Sequence, residues 1–285
     1  MLESYPHLVT DLLRVACVQM TSGPDKAANL EKAEPLVGRA ASTGADVVVL
    51  PEKWNAIGDG DVLYAAAEPL EGGETVELMA EWARRHGITL VGGSIAEQRE
   101  GREKLSNTSI AFGPDGDVLG VYRKIHMFDV EVEGNVYRES EAQEAGDEPV
   151  VVQADWPIGL TVCYDVRFPE LYRILALEGA ELVTVPSAFT VPTGRDHWHV
   201  LMRARAIENQ CYIAASAQFG MTRPGKPSYG RSLIVDPWGI VLAQAPDEET
   251  VISAELDRAR LRSVREKLPS LKNRQADAYR WPTSV

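Results

Sequence analysis

Residues 158–171, with the sequence IGLTVCYDVRFPEL, contain the two patterns from which this fold is built. The segment 158–162 is an apolar run of strand length, and the residues from Pro169 onward have the spacing of an amphipathic helix. A few turn-like residues that begin at Cys163 join the two. The stretch therefore predicts a buried strand that leads through a tight turn into a helix, as in layered α/β proteins.

The same alternation of strand and helix continues on both sides of this stretch. The predicted strands are 15–20, 46–50, 88–96, 107–111, 118–122, 158–162, 181–185, 212–216, 232–235 and 240–243, and the predicted helices are 25–43, 74–86, 169–178 and 196–209. Each half of the chain thus gives strand, helix, strand, helix, strand and hairpin. Apolar runs such as 47–50, VVVL, need cover on both faces. We therefore predict an α/β fold of two mixed sheets packed together, with helices on the outer faces.

The domain organisation is predicted to be simple. No low-complexity linker divides the alternating pattern, so one domain spanning 1–285 is expected. The last part of the chain, 257–285, is basic and helical in pattern at first and then polar. We predict that it forms a C-terminal arm.

Composition excludes several classes of partner. The 285 residues carry a formal net charge of −13, which disfavours binding to nucleic acid or to an anionic membrane. The N-terminus lacks the basic start and apolar stretch of a secretory signal, and no window resembles a membrane span. The three cysteines lie far apart, without the spacing of a zinc site or a disulfide framework. We expect a cytoplasmic protein with no metal.

Cys163 is the strongest candidate nucleophile. It ends an apolar strand and precedes a helix, the geometry that presents a nucleophile at a sheet edge beside free backbone N–H groups. Asp165 and Arg167 follow it, and burying such polar residues without a purpose would be costly. Cys17 and Cys211 instead fit the pattern of buried structural cysteines.

Two further residues complete the chemistry of amide hydrolysis. Glu52 follows the apolar run 47–50, and Lys124 lies at the exit of the first predicted hairpin. A cysteine thiol has a pKa of about 8.5 and needs a base at neutral pH, which a desolvated Glu52 supplies. Lys124, together with the N–H of Tyr164, is predicted to stabilise the negative oxygen of the tetrahedral intermediate. Of the three cysteines, the active one is expected to have a lowered pKa and to alkylate fastest.

A Cys–His mechanism stays open on these observations. His126, His197 and His199 are all available as bases. A metal site has less support, because no pair of ligands has the short spacing such sites use. The Gly92-Gly93 pair also lacks the remaining features of a phosphate-binding loop.

Three motifs resemble those of a known family. The segments LPEKW (50–54), YRKIHMFD (122–129) and GLTVCYDVRFPEL (159–171) are similar to the Glu, Lys and Cys motifs of the nitrilase, or carbon-nitrogen hydrolase, superfamily, in the same order. The resemblance extends over about 14–279. It implies a four-layer α-β-β-α sandwich that dimerises through helices, and neither a metal nor an organic cofactor.

Three other segments resemble the amidase branch that contains deaminated glutathione amidase and ω-amidase. They are PSAF (186–189), TGRDHWHVLMRARAIENQCY (193–212) and SYGRSLIVDPWG (228–239). The resemblance implies hydrolysis of a small carboxamide to an acid and ammonia through a cysteine thioester, in the manner of deaminated glutathione amidase. The alternatives are an ω-amidase acting on 2-oxo amides, a nitrilase and, in a different class, a non-catalytic scaffold.

The family also uses a second glutamate near the site. The resemblance assigns this role to Glu139, hydrogen-bonded to Lys124, with Glu131 and Glu133 as alternatives. It also implies a purely structural role for His126.

Three residues are predicted to contact the substrate. Arg173 is expected to bind a substrate carboxylate, because ω-amidase substrates carry one and the helix after Cys163 should face the pocket. Phe189 and Thr190 follow a strand end and are expected to line the pocket.

Overall fold

The computed structural model describes residues 11–279. Its strands are β1 (Leu12–Gln19), β2 (Val47–Val49), β3 (Thr89–Val91), β4 (Ile95–Glu97), β5 (Ser106–Phe112), β6 (Val118–Arg123), β7 (Asp129–Val132), β8 (Asn135–Arg138), β9 (Val150–Val152), β10 (Ile158–Leu160), β11 (Leu182–Thr184), β12 (Tyr212–Ala215), β13 (Phe219–Arg223), β14 (Lys226–Tyr229), β15 (Leu233–Val235), β16 (Val241–Gln244) and β17 (Thr250–Asp257). Its α-helices are α1 (Lys26–Ser42), α2 (Gly60–Ala66), α3 (Glu74–His86), α4 (Glu139–Ala142), α5 (Pro169–Leu177), α6 (Val191–Asn209) and α7 (Arg258–Lys267). Two 3₁₀ helices cover Cys163–Arg167 and Ala276–Ala278.

Two large sheets form the centre of the protein. The first has the order β17-β1-β2-β3-β5-β4, with β6 paired to β5, and the second has the order β16-β15-β12-β11-β10-β9. In each sheet three neighbouring strands are parallel, namely β1, β2 and β3 in one and β10, β11 and β12 in the other. Antiparallel strands flank both trios, so both sheets are mixed, as predicted.

The sheets pack face to face and carry helices on the outside. Along β1, Val15 and Cys17 belong to the core shared with the second sheet, whereas Ala16 and Val18 pack with residues of α1 and α3. This alternation is the period of two expected of a strand that is buried on both faces. The predicted α-β-β-α sandwich is thereby confirmed.

Helix ends follow the local sequence. The N-cap of α1 is Asp25, whose side chain accepts a hydrogen bond from the Ala28 N–H at 3.2 Å. Helix α3 ends at Gly87, which has a φ of 62°, a left-handed conformation that glycine adopts without a steric penalty. Both helix boundaries agree with the sequence prediction to within a residue.

Two predicted boundaries were wrong. Helix α6 begins at Val191 rather than at 196, because Pro192 fits the first turn, where its missing N–H is not needed. The predicted strand 88–96 is split into β3 and β4 at Gly93, which has a φ of 61°. A Cβ at Gly93 would lie only 2.1 Å from the Pro51 carbonyl oxygen, so the split places two backbone segments in close contact beside Glu52.

The C-terminal part packs against the body of the protein. Strand β17 pairs with β1, and α7 buries Leu261 and Val264. Residues 280–285 of the predicted arm lie outside the described residues, and the single-domain organisation stays a prediction. Within 11–279, none of the helices is long and apolar enough to cross a membrane.

Candidate active site

The predicted catalytic residues meet at one edge of the sandwich. Glu52 follows β2 and Cys163 follows β10, each beyond the carboxyl end of a parallel strand. Strand β6 is antiparallel to β5, which is antiparallel to β3, so the Lys124 that follows β6 reaches the same edge. All three residues line a cavity of about 390 Å³.

Lys124 lies between two carboxylates. Its Nζ is 3.1 Å from Glu52 Oε1 and 2.7 Å from Glu139 Oε2, and its side chain is only 1% exposed. Burial alone would lower the pKa of Lys124, but the charges of Glu139 and Glu52 outweigh burial and hold this pKa well above its usual value. Lys124 is therefore a permanently charged ammonium group.

Glu139 is the second glutamate that contacts Lys124. It also pairs with Lys53 at 2.8 Å and accepts a hydrogen bond from the Phe128 N–H at 2.8 Å. Burial would raise the pKa of Glu139, but the two lysines hold it well below its usual range. The alternatives Glu131 and Glu133 are exposed on the β7–β8 hairpin.

Glu52 is fixed at both carboxylate oxygens. Oε1 accepts a hydrogen bond from Asn107 Nδ2 at 2.9 Å as well as from Lys124, and Oε2 accepts one from the Ala188 N–H at 2.9 Å. The Glu52 carboxylate also lies close enough to the Cys163 thiol for its charge to raise the pKa of that thiol. A proton acceptor thus lies beside the candidate nucleophile, as general-base activation of a thiol requires.

The Cys163 backbone is strained. Its φ of 48° is unusual for a residue with a side chain, and its N–H donates to the Pro186 carbonyl oxygen at 2.8 Å. This conformation turns the chain from β10 into the 3₁₀ helix, the predicted elbow.

The thiol itself is protonated at rest. Burial and the neighbouring Glu52 charge raise the pKa of Cys163 well above its usual value, against the opposing effect of Lys124. The expected lowering of this pKa was therefore wrong, because a desolvated thiol beside a carboxylate disfavours a second negative charge.

Asp165 joins the segments that carry Lys124 and Cys163. Its carboxylate accepts hydrogen bonds from the Val162 N–H at 2.8 Å and the Tyr122 hydroxyl at 2.7 Å. His126 Nδ1 lies 2.7 Å from the same carboxylate. Asp165 is fully buried, and these hydrogen bonds explain why a charged residue occurs at a buried position.

Among the histidines of residues 11–279, none forms a Cys–His pair at the cavity. His126 contacts Asp165 and stacks on Phe168 at 3.5 Å between ring centroids. His197 contacts Arg167, and His199 contacts Gln244. None of the three histidines is among the described residues that line the cavity.

Three of the four predicted binding residues lie at the cavity. Tyr164, Phe189 and Thr190 line it. The Tyr164 amide belongs to the first turn of the 3₁₀ helix, where N–H groups have no acceptor within the helix. Phe189 also packs against Trp198, with ring centroids 4.9 Å apart.

The structure corrects the prediction for Arg173. Arg173 does not line the cavity. The groups that act electrostatically on its guanidinium include Glu208 of α6 and Cys211. On α5 the sheet-facing positions include Leu171 and Leu175, so Arg173 is directed towards α6 and away from the pocket. The prediction that it binds a substrate carboxylate is not supported.

Other cations stand at the opening of the cavity. Arg167 lies over Phe189 at 5.4 Å, and Arg223 and Lys226 of the β13–β14 hairpin lie over Tyr137 at 5.4 and 5.1 Å. Within 11–279, none of these three forms a salt bridge with a carboxylate. We call Arg167, Arg223 and Lys226 the mouth. Outside Glu52, Lys53, Lys124 and Glu139, the lining has four cations, the mouth and Arg138, and two carboxylates, Asp59 and Glu141, an excess of positive charge that suits an anionic ligand.

Sequence reasoning missed Asn107, Lys53 and the mouth cations of the hairpin. Asn107 carried a usable signal, since it is a polar residue inside the fully buried strand β5. Lys53 had only its position beside Glu52, and the short β13–β14 hairpin was not predicted.

The described residues contain no group of three or more His, Cys, Asp or Glu side chains able to hold a metal ion. The expectation that the protein needs no metal or organic cofactor stays a prediction.

Comparisons with known proteins place these motifs in context. The carbon-nitrogen hydrolase family model matches residues 14–266. The chain is 41% identical over 268 residues to omega-amidase NIT2-A of Xenopus laevis, covering 93% of this chain and 96% of that protein. It is 41% identical over 264 residues to a deaminated glutathione amidase of Synechocystis sp., covering 91% and 97%. The crystal structure of Saccharomyces cerevisiae Nit3, a member of branch 10 of the nitrilase superfamily, matches with a TM-score of 0.86 at 34% identity, covering 96% of this chain and 99% of that one.

Proposed function

Because this chain belongs to the carbon-nitrogen hydrolase family, we propose that it hydrolyses small carboxamides that carry carboxylate groups, with deaminated glutathione as the first candidate substrate. It is an amidase that acts on carbon–nitrogen bonds other than peptide bonds. The observation that carries the proposal is one cavity with a thiol, a carboxylate and a lysine at its base and unpaired cations at its opening.

In the proposed reaction Glu52 takes the proton of the Cys163 thiol. The sulfur then attacks the carbonyl carbon of the amide, and Lys124 with the Tyr164 N–H stabilises the negative oxygen. Collapse of this intermediate breaks the carbon–nitrogen bond, while protonated Glu52 gives its proton to the leaving nitrogen. A primary amide releases ammonia, whereas a secondary amide such as deaminated glutathione releases an amine.

The second half of the cycle uses the same groups. Glu52 removes a proton from water, which attacks the thioester carbon, and Lys124 again stabilises the oxyanion. The carbon–sulfur bond breaks, the acid leaves, and the Cys163 sulfur recovers its proton. Glu139 and Asn107 support this cycle by holding Lys124 and Glu52 in place through the hydrogen bonds described above.

The mouth supports a substrate with more than one carboxylate. Arg167 and the pair Arg223 and Lys226 lie on different elements, so two separate anionic groups can each find a cation. Deaminated glutathione carries two carboxylates. The ω-amidase substrate 2-oxoglutaramate carries one, and it is the second candidate because the Xenopus laevis relative bears that name.

The test is turnover of both amides by the wild-type protein and by Cys163→Ala. Each substrate gives 2-oxoglutarate as its acid, so one product assay compares the two kcat/KM values directly. We expect turnover by the wild type only, with a higher kcat/KM for deaminated glutathione. A folded Cys163→Ala protein that is still active would refute the nucleophile, and no turnover by either protein would favour a scaffold.

We further propose that the protein is a cytoplasmic homodimer. The outer faces of α5 and α6 expose Ile174, Leu177, Val200 and Ile207, at 41 to 66%, an arrangement that favours contact with a second copy. Free thiols at all three cysteines suit a reducing compartment. Sedimentation of Val200→Glu and Ile207→Glu beside the wild type tests the dimer, which a wild-type monomer would contradict.

A further inference from the structure

Lys53 is a second lysine at the base of the cavity, and it is partly buried. It follows Glu52 directly, has a left-handed φ of 51°, and donates its backbone N–H to Ser94 Oγ at 3.1 Å. Its side chain is 13% exposed, lines the cavity, and places Nζ 2.8 Å from Glu139 Oε1. The strained backbone thus brings the ammonium group to the carboxylate that also pairs with Lys124.

Lys53 changes the charge of the cavity base. We call Glu52, Lys53, Lys124 and Glu139 the floor. The floor holds two carboxylates and two ammonium groups, a net charge of −2 + 2 = 0. Without Lys53, Lys124 alone would face both carboxylates and the floor would carry −1. Charges that are so little exposed to water act strongly on any ion in the same cavity.

The net charge of the floor matters during the reaction as well as on substrate binding. When Glu52 takes the Cys163 proton and the substrate oxygen becomes negative, one negative charge moves from Glu52 to the substrate. The total charge of floor and substrate is therefore unchanged through attack. A negative floor would oppose an anionic substrate both on binding and in the transition state, but would affect an uncharged amide far less.

We propose that Lys53 is a specificity-determining residue, which neutralises the floor so that carboxamides carrying a carboxylate are accepted. The inference rests on the proposed function and adds a residue outside the Glu, Lys and Cys set. A purely structural ion pair between Lys53 and Glu139 would instead affect charged and uncharged amides alike.

The experiment compares two amides of nearly equal shape. Glutaramate carries a terminal carboxylate, and 5-methylhexanamide has an isopropyl group in its place. Lys53→Met removes the charge at similar length, Lys53→Gln is a second neutral variant, and Lys53→Arg keeps the charge as the matched control. Ammonia release gives kcat and KM for each pair, and thermal unfolding shows that each variant is folded.

We expect the neutral variants to lower the ratio of kcat/KM for glutaramate to that for 5-methylhexanamide by about tenfold, mainly through KM. Lys53→Arg should retain the wild-type ratio. Equal losses for both amides, or an unchanged ratio in both neutral variants, would overturn the role of Lys53 alone. A wild type that hydrolyses the uncharged amide but not glutaramate would instead overturn the proposed function, and this inference with it.

Discussion

The floor and the mouth of the cavity use the same kinds of charge in opposite ways. Every charged group of the floor has an oppositely charged partner within 3.1 Å, and none of its side chains is more than 13% exposed. The mouth cations rest on aromatic rings, are partly exposed, and within 11–279 have no carboxylate partner.

This difference separates two tasks. Paired and desolvated charges are held in position before the substrate arrives, as stabilisation of a transition state requires. Unpaired cations at an opening can exchange water for a substrate anion and are screened by salt. Substitutions of Glu52, Lys124 or Glu139 in the floor should therefore reduce kcat or stability. Substitutions in the mouth, like loss of the Lys53 charge, should act mainly on KM.

The largest effect is expected at Glu52. Glu52→Gln keeps the shape of the side chain but removes the proton acceptor that lies beside the Cys163 thiol, so kcat should fall by about 10³- to 10⁴-fold. Steady-state kinetics on the better of the two amides measures it. Glu131→Gln, at an exposed position, is the control and should have no effect. A kcat within tenfold of wild type would mean that another group takes the proton.

The next effect concerns stability. Among residues 11–279, Lys124 is the only charged partner of Glu52, and Glu139 otherwise pairs only with Lys53. Lys124→Met should therefore cost about 3 to 5 kcal/mol of unfolding free energy. Urea unfolding at neutral pH measures this loss. The mouth counterpart Lys226→Met should change the unfolding free energy by about 0.5 kcal/mol or less. Similar losses in the two variants would contradict the contrast between floor and mouth.

A smaller effect is expected at Arg223 of the mouth. Arg223→Gln should raise KM for glutaramate by about tenfold and leave kcat nearly unchanged, since within 11–279 its guanidinium forms no ion pair with a floor residue and lies over Tyr137 instead. The wild-type KM should rise with salt concentration, and that dependence should weaken in the variant. If kcat falls instead and KM holds, the mouth takes part in the chemistry.

The smallest effect is the acid sensitivity of the floor. The pKa of folded Glu139 lies well below the ordinary value of 4.5. Its ionised form therefore stabilises the fold fully above that value, and this contribution declines as the pH falls below it. Between pH 7 and pH 4 the loss from this group should be about 1 kcal/mol. In Glu139→Gln, the drop in unfolding free energy between pH 7 and pH 4, measured by thermal unfolding, should be smaller than in wild type by about 1 kcal/mol. In Glu131→Gln it should equal that of wild type.

Much of the fold could be predicted from local sequence. The apolar run 47–50 could only be a strand covered on both faces, and Gly87 fixed the end of α3. The β7–β8 and β13–β14 hairpins were missed because each of their strands is only four or five residues long and largely polar. Strand β7, with the sequence DVEV, does alternate, but over too few residues to be distinguished from a loop. Helix α6 begins five residues before its predicted start, with Pro192 in its first turn.

Some features of the site were likewise predictable from sequence, and others were not. Glu52 and Cys163 each follow a buried parallel strand, so their positions at strand ends were predictable, but β2 and β10 belong to different sheets and only the packing of the two sheets brings the residues together. The prediction that Arg173 binds the substrate failed because helical spacing does not show which neighbouring element each face of the helix contacts. The predicted lowering of the Cys163 pKa was also wrong, since this pKa depends on burial and on Glu52 across the sheet interface.

By itself the sequence determined the layered α/β architecture and the positions of Glu52, Lys124 and Cys163 after strands, because strand and helix periods are local properties. The class of reaction followed from the resemblance of three motifs to a known family. Only the tertiary structure decided that Glu139 pairs with Lys53 as well as Lys124, and that Arg223 and Lys226 stand at the opening. These contacts join residues far apart in the chain. Their strength depends on how far packing removes water from the charges, which no local pattern encodes.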